Sequence, residues 1–135
     1  MKTPRRLCTL ALAFLLLFSL TACSRVSIDG SSGGTVKYQV GTTRFTDDLT
    51  EDEVADVAKI LNGKSAYSST VIGTPSCGYS FDVSITIDGS TYALAMDKCT
   101  TVKLMEKDLY IDITNDERNV LEQIFISRGG EFPCV

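Results

Sequence analysis

Three hydrophobic periods divide this chain. Leu7 to Leu20 is a 14-residue apolar run preceded by the basic Lys2, Arg5 and Arg6. From Thr35 to Thr46, Val36, Tyr38 and Val40 alternate with polar neighbours, the period of a strand; Gly41 marks a turn or bulge, so the stretch reads as one strand or as a hairpin. A helical period follows. Val54, Val57, Ala58 and Leu61 fall on one stripe, Thr50 and Glu53 form a capping box ahead of it, and Asn62-Gly63 stops it. The same signature returns with Thr114 and Glu117, then Val120, Leu121, Ile124 and Phe125, ending at Gly129-Gly130. Internal duplication of a strand–helix unit and chance reuse of a common cap both account for the recurrence.

Between the helices the two-residue period is strongest. Phe81, Val83, Ile85 and Ile87 alternate with Asp82, Ser84, Thr86 and Asp88, which predicts one apolar face and one wet face. Asp88-Gly89 favours a type I′ turn, which pairs Ile85 with Tyr92, Val83 with Leu94 and Phe81 with Met96 on a single face. Strands at Val102–Met105 and Leu109–Ile113, joined by Glu106-Lys107-Asp108, continue a meander. Lys64 to Ser76 reads as a connector with room for a short edge strand at Thr70–Ile72. The order of strand, helix, four strands and helix predicts an α+β fold: an antiparallel sheet of four to five strands with two helices on one face.

The basic start, the apolar run and the small residues after it form a secretory signal, and the run is too short to span a bilayer as a helix. Its end, Leu20-Thr21-Ala22-Cys23, resembles the lipobox of bacterial lipoproteins. That resemblance implies cleavage before Cys23, a diacylglyceryl lipid on Cys23, and anchoring to the outer face of the cell membrane. Residues 1–22 are then signal peptide, 23–34 a flexible tether, and 35–135 a single domain. The polar, Gly/Ser-rich composition of Ser24 to Gly34 predicts a reach of roughly 15–20 Å for the tether.

Cleavage removes 22 of 135 residues, leaving 113, with 10 basic against 17 acidic side chains and a net charge of −7. This charge disfavours nucleic acid and anionic headgroups as ligands, leaving membrane attachment to the lipid. Three of the five cysteines remain besides Cys23 and the signal's Cys8. In the hairpin register Cys77 and Cys99 come within one residue of facing each other, and a bridge would close a loop of about 20 residues, worth roughly 3 kcal/mol. Strict alternation, however, puts the two on opposite faces, and Cys134 offers rival pairs.

The chain has no His, which removes the usual base for a Ser or Cys nucleophile and the mixed Cys/His zinc set. No Cys-x-x-Cys pair is present. Asp47, Asp48, Glu51, Asp52, Glu53 and Asp56 lack the spacing of a calcium loop and suit a helix start. Lys64-Ser65, Ser68 and Ser69 sit in a polar loop without the pattern of a Ser–Lys site, and Asp82, Asp88 and Asp97 suit a solvated strand face. No cofactor and no metal are expected. Tyr67, Tyr79 and Tyr92 are candidates for a binding surface.

The mature chain resembles, over about Leu49 to Val135, small cysteine-containing domains of clostridia-like Gram-positive lipoproteins. The resemblance lies in Cys77-Gly78-Tyr79-Ser80-Phe81-Asp82, Asp97-Lys98-Cys99 and Phe132-Pro133-Cys134, and it implies no activity. The expectation is a non-enzymatic, lipid-anchored extracytoplasmic domain that binds a protein, peptide or envelope component. The alternative is a proteinaceous inhibitor of an extracellular hydrolase or toxin.

Overall fold

The computed structural model describes residues 24–68 and 75–134. The expected signal at 1–22, Cys23 and the edge strand considered at Thr70–Ile72 lie outside the described residues. The elements run β1 (Ser24–Arg25), β2 (Gly34–Val40), β3 (Thr43–Asp48), α1 (Glu51–Leu61), β4 (Ser65–Ala66), β5 (Ser84–Ile87), β6 (Ser90–Leu94), β7 (Thr101–Leu104), β8 (Leu109–Asp112) and α2 (Asn115–Ile126).

Turn chemistry sets the central hairpin. Asp88 and Gly89 both have positive φ, at 52° and 75°, as a type I′ turn requires, and Ile85 stands opposite Tyr92 as the hydrophobic pattern demands. The fold is α+β with two helices and antiparallel sheets. The main sheet has six strands in the order β3-β2-β5-β6-β7-β8, rather than four or five, because Thr35–Thr46 folds as a hairpin about Gly41. Gly34 begins β2 where no side chain fits: an added Cβ would lie 2.6 Å from Ile87 and 2.9 Å from the Thr86 carbonyl oxygen.

Both helices carry complete capping boxes, at Thr50–Glu53 and Thr114–Glu117. Val54, Val57, Ile60 and Leu61 of α1 and Leu121, Ile124 and Phe125 of α2 join Val36, Ile85, Leu94, Val102 and Ile111 of the sheet in one core. Val120, assigned to the inner stripe by its period, is exposed, and Arg118 takes the inward position.

Two expected stretches differ. Phe81 is not paired with Met96. A turn from Ser80 to Ser84, closed by Val83 N–H on the Ser80 carbonyl and by the Ser84 hydroxyl on the Phe81 carbonyl, delays β5 and leaves Phe81 53% exposed. The face opposite the helices is also not open, since Ser84, Thr91, Ala93 and Thr101 are buried there.

The larger departure is at 24–33. This segment, expected as a tether, packs onto the domain. β1 pairs with β4, Ser24 opposite Ala66 and Arg25 opposite Ser65. Val26 and Ile28 enter the core. The Asn62 side chain accepts from Ile28 N–H and donates to the Ile28 carbonyl, and the Asp88 carboxylate accepts from Asp29 N–H. Two buried apolar side chains, at about 1.5–3 kcal/mol each, and these paired backbone groups hold the segment against the domain.

Candidate functional site

On the polar face of the sheet, register brings Ala93, Lys103 and Tyr110 into one row across β6, β7 and β8. The Lys103 ammonium is 2.7 Å from the Asp108 carboxylate, which raises its pKa. It lies 5.8 Å from the Tyr79 ring centroid and 5.4 Å from that of Tyr110, within cation–π range. The two rings are tilted, with centroids 5.8 Å apart. Tyr79 shares a 2.7 Å hydrogen bond with the Thr101 hydroxyl, and burial pushes its phenol pKa up. Tyr67 extends the group: its backbone exchanges two hydrogen bonds with Tyr110, at 2.9 and 2.8 Å, and the residue is 38% exposed.

The structure therefore brings together Tyr67 and Tyr79 of the expected surface and separates Tyr92, which is buried in the core on the helix-covered face. Alternation places Tyr92 with Ile85, so its ring belongs to packing. Tyr110 and Lys103 were missed, although the period through the Glu106–Asp108 turn puts them on the same polar face. The result is a shelf of rigid aromatic rings around a fixed charge pair, suited to contact with a partner's polar and apolar groups at low entropy cost.

The opposite end of the strands carries the cysteines. Cys77 pairs with Cys134, not with Cys99, across a Cα–Cα distance of 6.0 Å. The tail returns over the core, with Phe132 edge-on to Phe125 and Glu131 N–H donating to the Gln39 carbonyl. Cys99 is an exposed free thiol. The Asp97 carboxylate accepts from the backbone N–H of both Ser76 and Cys99 and holds the Cys99 thiol above its ordinary pKa. Behind this loop Arg118, 3% exposed, donates to the carbonyls of Cys99 and Ala95 and pairs with Glu122 at 2.7 Å.

The acidic run at the start of α1 is partly used in packing. Arg128 makes a bidentate pair with Glu53 at 2.6 and 2.7 Å, and Tyr38 donates to Asp47 at 2.8 Å. Among the described residues no group of three His, Cys, Asp or Glu side chains is arranged to hold a metal ion, and no helix is long and apolar enough to cross a membrane. The chain matches no protein-family model, no curated protein and no solved structure.

Proposed function

We propose that this chain is a lipid-anchored extracytoplasmic domain that binds a protein, peptide or envelope component through the shelf formed by Tyr67, Tyr79, Tyr110 and Lys103. Leu20-Thr21-Ala22-Cys23 supports the anchor. The observation that carries binding is the row of partly exposed tyrosines about the Lys103–Asp108 pair, since tyrosine is among the residues enriched at the energetic centres of recognition surfaces. The reading is of a non-enzymatic protein, in keeping with the absence of His.

Full-length protein immobilised against envelope extract should retain a partner saturably. The double substitution Tyr67→Ser with Tyr110→Ser should lower that retention at least tenfold, while Ile126→Ser, exposed at the end of α2 on the helix layer, should not. Equal retention by the shelf variant, or no saturable partner, overturns the reading.

A further inference from the structure

We propose that β3 pairs antiparallel with β3 of a second copy of this chain, about a two-fold axis at Thr46. β3 and β8 are the two edges of the six-stranded sheet. The β8 edge is met by the Tyr67 backbone, through two hydrogen bonds to Tyr110. β3 has no such cover, and none of its six residues is buried. It lies across the sheet from the tyrosine shelf, so the two surfaces are separate.

The β2–β3 ladder shows which backbone groups point outward. Leu49 N–H donates to the Gly34 carbonyl at 2.9 Å, one step beyond the pairing of Thr35 with Asp48. Hydrogen-bonded and non-hydrogen-bonded pairs alternate in an antiparallel ladder. Thr43, Phe45 and Asp47 therefore turn their N–H and C=O groups to β2, and Arg44, Thr46 and Asp48 turn theirs away. The outward groups of Arg44 and Thr46 meet no partner among the described residues. The Asp48 carbonyl accepts from Arg128 at 3.3 Å and keeps a second lone pair. Such a row is a template for another strand.

Charge selects both the occupant and the register. A two-fold pair must be centred on a residue, since centring between two residues sets outward groups against inward ones. Centring on Arg44, Asp47 or Asp48 puts like charges face to face, which destabilises a ladder. Centring on Thr43 or Phe45 gives Arg44 no charged partner. Centring on Thr46 sets Arg44 of each copy opposite Asp48 of the other and Thr46 opposite Thr46, three pairs that each exchange two backbone hydrogen bonds. The side chains are free to do so. Asp48 enters no ion pair among the described residues, and Arg44, held through Nε by Asp82 at 3.0 Å, stays 70% exposed along its side chain. Phe45, stacked on Tyr38 yet 42% exposed, comes diagonal to Phe45 of the copy. Asp47, which then faces the copy's Phe45, already accepts from the Tyr38 hydroxyl.

Full-length chains carrying two different affinity tags are co-expressed, extracted in mild detergent and captured through one tag. Wild type should bring down its differently tagged copy. Arg44→Asp co-expressed with itself, and Asp48→Arg with itself, should each fall at least tenfold, because both cross-strand charge pairs become repulsive. Arg44→Asp co-expressed with Asp48→Arg regains two opposite-charge pairs and should return to within twofold of wild type, which also shows that both variants fold. The shelf variant, Tyr67→Ser with Tyr110→Ser, should pair as wild type does. No capture of wild type by wild type overturns the pair and leaves the edge to an extended peptide of another protein. Charge variants captured as well as wild type, or no recovery in the mixed pair, overturn it equally. Loss of capture in the shelf variant moves the contact to β8 and overturns it as well, whereas failure to retain a partner from envelope extract touches only the shelf.

Discussion

Arg118 occupies the position in α2 where the helical period calls for an apolar side chain, and its guanidinium does work no apolar group could. It ties the carbonyls of Ala95 and Cys99, at the start and end of the β6–β7 connection, to the helix, with Glu122 one turn on. Its Nε is the one buried side-chain nitrogen or oxygen without a hydrogen-bond partner among the described residues. Arg118→Ala would leave two carbonyls and a carboxylate short of donors, and should lower stability by about 3 kcal/mol in urea titrations. The residue was legible in principle: Arg118, Leu121 and Phe125 share a stripe. A period computed on apolar residues alone chose Val120, which faces solvent. Phe81 shows the same limit, since alternation continues through Ser80–Ser84 while two turn hydrogen bonds end the strand.

Among the elements, the hairpin of β5 and β6 and the two capped helices could be read directly, because local turn or cap chemistry and the longer hydrophobic period chose the same geometry. Residues 24–33 could not. Val26 and Ile28 are too few to show a period, and their partner Asn62 lies 34 residues beyond Ile28. Glu53 joins two scales, closing the α1 cap and pairing with Arg128 beyond α2. Glu53→Gln keeps the capping box and removes the charge, so it isolates the ion pair. Hydrogen bonding to Arg128 holds the Glu53 carboxyl below its ordinary value of 4.5, so the stabilisation is complete above that value and is lost as pH falls through the lower folded value. The variant should be about 1–2 kcal/mol less stable than wild type at pH 7, with the gap closing in acid, as denaturant titrations from pH 7 to pH 3 would record.

At the scale of the molecule, the chain is closed at the end opposite β1 by Cys77–Cys134, whose residues are 57 apart in sequence. The chain-entropy model gives such a loop about 4 kcal/mol. Cys134→Ser should therefore lower the denaturation free energy by up to that amount, and Cys99→Ser should leave it within about 0.5 kcal/mol. A large effect of Cys99→Ser would contradict the pairing. The sequence register pointed to Cys99 because it treats Cys77 as part of a hairpin arm. The tail's return is set by Phe132 on Phe125, a contact no local pattern announces. The tyrosine shelf was half visible for a related reason: residue type singled out Tyr67 and Tyr79, but separating Tyr92 from Tyr110 requires knowing which face the helices cover.

The packing of residues 24–33 also gives the molecule a mechanical order of events. A pull on the N-terminus meets the two-residue pairing of β1 with β4 before anything else, then the core contacts of Val26 and Ile28 with the hydrogen bonds to Asn62 and Asp88, and only afterwards β2, which is held between β3 and β5. The first ten described residues should therefore peel before the main sheet opens. Fully extended they add about 33–36 Å of reach. The segment is thus a leash that pays out under tension and is taken up at rest.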